Sequence, residues 1–164
     1  MKRLSMPLLV ASLVLAALLP VQARAGAEVT FVRPERFMDL GDSDRDREST
    51  MALIASHIKQ QTQRYAPGDD LAIEFTDIDL AGVIEPVGPR MERMRVLRSI
   101  TWPRLEFRYV VSRGGEQTLQ GEARLSDMSY QDHVFGHMNT DPIRFEKQLI
   151  DDWFKRTFAT GKTQ

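Results

Sequence analysis

Two runs of strict alternation around one glycine turn constrain this chain more than any other feature. Leu105, Phe107, Tyr109 and Val111 alternate with Glu106, Arg108 and Val110. After Arg113-Gly114-Gly115-Glu116, Leu119, Gly121, Ala123 and Leu125 alternate with Gln120, Glu122 and Arg124. A period of two marks strands buried on one face, and a two-glycine turn between them marks a hairpin. The apolar face of that hairpin must be covered by another layer. The polar face should carry cross-strand ion pairs among Glu74, Glu106, Arg108, Glu122 and Arg124.

The remaining pattern supplies the cover. Met51, Ile54, Ala55, Ile58, Thr62 and Tyr65 fall at helical steps, which predicts a helix over Asp44 to Tyr65, ended by Pro67-Gly68. Asp141-Pro142 predicts a second helix start, with the acid as cap and proline in the first turn. That helix should run to about Phe158. Further strands are expected at Glu28 to Arg33, at Leu71-Ile73-Phe75, and at Arg95 to Trp102. Gly82 to Pro89 reads as a loop. The sum is a two-layer α+β domain: a mainly antiparallel or mixed sheet of four to five strands, with two helices packed on one face.

The first 25 residues read differently. Lys2 and Arg3 precede an apolar stretch from Leu8 to Leu19, and Ala23-Arg24-Ala25 has the small-x-small pattern of a cleavage site. The stretch is shorter than the ~20 residues a spanning helix needs. Residues 1–25 are therefore expected to be a signal peptide, and 26–164 a single domain exported to the periplasm. Losing Lys2, Arg3 and Arg24 lowers the Lys+Arg count from 22 to 19 against 23 Asp+Glu, a charge of −4 that argues against nucleic acid. No later segment suits a membrane span. The absence of cysteine excludes disulfides, thiolate metal sites and a thiol nucleophile.

Candidate functional residues follow from what sits out of place. On the last helix Glu146 falls inside an apolar arc formed by Phe145, Leu149, Trp153, Ile150, Ile143, Phe154 and Phe158. A buried carboxylate must be paired or neutral. A structural ion pair is expected, with Arg104 as its partner. Asp77 and Asp79 should continue the inward row of Leu71, Ile73 and Phe75, where they could hold a cation, do acid–base chemistry or bind backbone N–H groups. Asp42, Asp44 and Asp46 imitate a calcium loop, but Arg47 stands where glycine is required and Leu53 where the closing Glu belongs. Helix capping is the better reading there. His133 and His137, with Asp141 four residues on, have ligand-like spacing only if helical. His57 is distant in sequence, and no serine sits in a glycine elbow. Arg90, Arg93, Arg95, Arg98, Arg104 and Arg108 form a basic stretch. It either binds an anionic partner such as lipid head groups or faces the acidic segment Asp39 to Glu48.

Several segments taken together resemble a known family. They are Val29-Thr30-Phe31-Val32-Arg33-Pro34-Glu35 with Phe37 and Asp39, and Thr76-Asp77-Ile78-Asp79-Leu80-Ala81-Gly82. Trp102-Pro103-Arg104, Leu125 with Asp127 and Tyr130, and Phe145-Glu146-Lys147 with Asp152-Trp153-Phe154 complete the set. In these the chain resembles the secreted bacterial proteins of domain-of-unknown-function family 3016. The resemblance implies a secreted Gram-negative protein and supplies no catalytic residues. Two classes of function stay open. One is a non-catalytic binding or envelope-associated protein that takes an envelope protein or an anionic ligand. The other is a small hydrolase or metal-dependent enzyme using Asp77, Asp79 and Glu146. No convergent nucleophile or ligand set is visible, and no cofactor is called for, so the binding reading leads.

Overall fold

The computed structural model describes residues 26–132 and 140–158. Strands β1 (Ala27–Phe31), β2 (Asp70–Asp79), β5 (Arg104–Arg113) and β6 (Glu116–Ser126) form one sheet in the order β1-β2-β5-β6. β1 runs parallel to β2, and the other neighbours are antiparallel. Helices α1 (Asp44–Tyr65) and α2 (Arg144–Phe158) supply the second layer. This is the expected α+β architecture. The expected hairpin turn is present, with Gly114 at φ 60° and Gly115 at φ 87°, left-handed values that glycine adopts without strain.

Leu71, Ile73, Phe75, Leu105, Phe107 and Val111 point from the sheet into the core, against Ile54 and Ile58 of α1 and Leu149, Ile150, Trp153 and Phe154 of α2. Trp153 meets the Phe107 and Tyr109 rings edge-on at 5.0 and 5.1 Å. On the outer face Arg108 bridges Glu74 and Glu122, each at 3.1 Å, and Arg124 approaches Glu106 at 3.8 Å. The helices are tied by His57 Nε2 and Asp151 Oδ1 at 2.6 Å.

Two expectations fail. Gly82 to Pro89 is not simply a loop: Val83–Val87 is strand β3, paired antiparallel with β4 (Glu92–Val96) in a separate two-stranded sheet. Arg95 to Trp102 is correspondingly not a strand beyond Val96. Pro86 is tolerated in β3 because a two-stranded ribbon leaves one side of each strand unpaired.

Candidate functional site

The end of β2 carries the first two candidates, and a bulge redirects them. Phe75 pairs with Phe107 but Asp77 pairs with Glu106, so Thr76 is an extra residue on β2. One inserted residue reverses the alternation. Ile78 becomes the fully buried side chain, and Asp77 and Asp79 turn to the outer face, not along the row of Leu71, Ile73 and Phe75. Asp77 Oδ1 accepts the Met38 N–H at 2.9 Å. Asp79 is directly opposite Arg104 and ion-paired with it. Burial raises the Asp79 pKa, Arg104 opposes the rise, and the charges of Asp39 and Asp77 reinforce it.

Glu146 is only 1 % exposed, as its place in the apolar arc requires, but its partner is not Arg104. Leu105 points inward to α2, so the adjacent Arg104 points to the opposite face of the sheet, away from Glu146. Glu146 Oε1 instead accepts the buried Ala81 N–H at 2.7 Å. The carboxylate thus fastens the loop after β2 to the second helix. Burial raises its pKa. The Ala81 and Glu146 backbone N–H groups act against that rise, and so, more weakly, do the charges of Arg95 and Arg144.

The acidic segment and the basic stretch meet. Arg95 donates to both carboxylate oxygens of Asp39, at 2.6 and 3.1 Å, and approaches the Gly82 carbonyl at 3.3 Å. Arg93 grips Asp42 with two donors, and Arg98 pairs with Glu85. Arg90 stands 3.9 Å from Glu92. With Arg104 on Asp79 and Arg108 between Glu74 and Glu122, every arginine of the stretch faces a carboxylate. Asp46 and Ser43 form reciprocal caps on α1: the Ser43 side chain accepts the Asp46 N–H, and its hydroxyl donates to Asp46 at 2.6 Å. Asp44 pairs with Arg47. Of the three acids of the calcium-loop pattern, Asp42 and Asp44 are thus taken by arginines, and Asp46 alone joins the Ser43 cap. Among the described residues no group of three or more His, Cys, Asp and Glu side chains could hold a metal ion. His133 and His137 lie outside the described residues.

The β3–β4 ribbon stands beside the sheet end, fastened by these arginines, with a cleft on either side of the Asp42–Arg93 bridge. One, of about 450 Å³, includes Met38, Asp79, Val83, Ile100, Trp102 and Arg104 in its lining. The other, of about 580 Å³, lies between the ribbon and the helices and includes Thr50, Leu80, Arg95 and Phe145. Register puts Ile84, Arg95, Pro86 and Arg93 on the face turned to the body. Val83, Val96, Met94 and Val87 share the opposite face. Of eight large hydrophobic side chains left exposed among the described residues, six lie on or beside the ribbon: Met38, Val83, Val87, Met91, Met94 and Ile100. Sequence reasoning missed this surface. Its signal was a concentration of methionine and valine, without strand alternation, between Val83 and Val96.

The four carboxylate and arginine candidates therefore divide. Asp79 and Arg104 are joined at the rim of the smaller cleft, Asp77 binds backbone beside them, and Glu146 is sealed beneath Ala81. Asp77, Asp79 and Glu146 do not present a common solvent-open center for chemistry. A family model described as "Protein of unknown function (DUF3016)" matches residues 25–156. No curated protein and no solved structure matches the chain.

Proposed function

The chain belongs to the DUF3016 family of proteins of unknown function, and from that premise we propose that it is a non-catalytic binding protein of the periplasm. In this reading residues 1–25 direct export and are removed. The mature domain then engages an envelope protein through the β3–β4 ribbon and the cleft lined by Met38, Val83, Ile100 and Trp102.

One contrast carries the reading: the arginines of the basic stretch are already engaged by carboxylates, whereas the apolar side chains around them are exposed. Exposed apolar groups gathered at one place favour an apolar partner segment over a free anion. Methionine, with its unbranched and polarizable chain, suits a surface that adapts to that segment. No helix among the described residues is long and apolar enough to cross a membrane.

The test is site-specific photo-crosslinking in intact cells, with the probe at Met94 or Ile100 and a control probe at Ala72 on the outer sheet face. A discrete adduct with an envelope protein from the ribbon positions alone supports the reading. Equal labelling from Ala72, or no adduct at the ribbon, overturns it. Mature protein beginning at Gly26 in the periplasmic fraction is the accompanying expectation.

A further inference from the structure

The sheet has two edges of unequal character. β1 is five residues long and is followed by Pro34. β6 is eleven residues long, pairs with β5 on one side, and among the described residues pairs with no strand on the other. It contains neither proline nor lysine, the usual guards of an open edge. The irregularity in its pairing lies near the turn, between Val111 and Ser112, so the half from Leu119 to Ser126 is regular.

We propose that this edge pairs with the β6 edge of a second copy, antiparallel, about a two-fold axis at Ala123. Register decides the pairing. Glu122 and Arg124 point to the outer face, opposite Arg108 and Glu106 of β5, while Ala123 and Leu125 point to the helix side. Only pairings that keep outward residues opposite outward residues preserve the buried face. Of the central ones, an axis at Glu122 sets Glu122 against itself, and an axis at Arg124 sets Arg124 against itself. Like charges directly opposite are destabilising. The axis at Ala123 sets Glu122 of each copy against Arg124 of the other, twice, and places Ala123 against Ala123 and Gly121 against Leu125. An axis at Gly121 avoids like charges but sets Glu122 against Gln120, so within Leu119 to Ser126 the axis at Ala123 alone places opposite charges face to face, and charge favours that register. The two-fold arrangement also closes on itself, consuming both long edges. The surface is distinct from the β3–β4 ribbon, so this inference and the proposed function fail separately.

Charge exchange tests it. Glu122→Arg leaves two arginines at positions 122 and 124, and Arg124→Glu leaves two glutamates. Sedimentation velocity of the mature chain should show a dimer, and each variant alone should run as a monomer. Mixing the two variants in equal amounts should restore a dimer, because every cross-copy pair is then opposite in charge. A purely structural role for either side chain does not give recovery on mixing. A second measurement covers poor folding of either variant. The chain has no cysteine, so Ala123→Cys should form an intermolecular disulfide on mild oxidation, and Gln120→Cys, which would face Ser126, should not. A wild-type chain that stays monomeric at concentrations on the order of 100 µM overturns the inference. So do a mixture that stays monomeric and crosslinking at position 120 in preference to 123.

Discussion

Glu146 offers the sharpest test of the physical reasoning, because its two oxygens are held in a nearly dry site. Replacing it with Ala removes the acceptor for the buried Ala81 N–H and leaves space behind. An unsatisfied buried donor costs ~1–3 kcal/mol and a lost buried methylene ~0.8 kcal/mol, so Glu146→Ala should cost about 2–4 kcal/mol. Glu146→Gln keeps an oxygen in place and should cost much less. The sign of the pH dependence follows from burial, which raises the folded pKa above the ordinary value of 4.5. Between that value and the raised one the folded state holds a proton that the unfolded state has released. This contribution to wild-type stability is full below about pH 4.5 and is lost as pH rises to the folded pKa, with a slope of at most ~1.4 kcal/mol per unit. The Gln variant lacks this slope. Its stability relative to wild type should therefore improve with rising pH and then level off. Urea unfolding between pH 4 and pH 8, followed by fluorescence of the buried Trp153, measures the difference directly. A penalty for Gln that grows with pH would refute the argument. It would mean that Arg95 and Arg144 hold Glu146 as an anion strongly enough to overcome burial.

The Arg95–Asp39 contact anchors the ribbon. Arg95→Met should raise hydrogen exchange in β3 and β4 while leaving β2 and β5 protected. Gly82 has φ 85°, and a Cβ there would sit 2.7 Å from the Val96 carbonyl oxygen, so Gly82→Ala should cost at least about 2 kcal/mol in urea unfolding. Gly114 has φ 60° with open space around it, and Gly114→Asn should be nearly neutral by the same measurement. His57→Ala breaks the contact with Asp151 between the helices and should lower stability by about 1–2 kcal/mol in the same assay.

The sheet and both helices were legible because each repeats one period for long enough. The β5–β6 hairpin alternates through nearly its whole length, and α1 runs from Asp44 to Tyr65 as its spacing predicts. The β3–β4 ribbon was not legible. Pro86, Gly88 and Pro89 carry the marks of a loop. Moreover, the ribbon's inward face holds Arg93 and Arg95, so hydrophobic alternation is missing where a strand reader looks for it. The ion pairs that join it to the body reach Asp39 and Asp42, more than forty residues away in sequence, which no local window contains.

The placement of the candidate residues was not legible in the sequence for a related reason, visible at Thr76. Nothing in Phe75-Thr76-Asp77-Ile78-Asp79 announces an extra residue, because a bulge is defined by the partner strand, where Phe107 and Glu106 are consecutive. Counted without it, Asp77 and Asp79 face the core and stand near Glu146 as a plausible reactive cluster. Counted with it, Ile78 is buried, Asp79 meets Arg104 on the outer face, and Glu146 is left to bind the backbone of Ala81. The same parity separates Arg104 from Glu146: Leu105 packs inward, so its neighbour cannot. One inserted residue thus moves two acids out of the core, Asp79 to an ion pair with Arg104 and Asp77 to the Met38 N–H, and with them the strongest sequence argument for an enzyme.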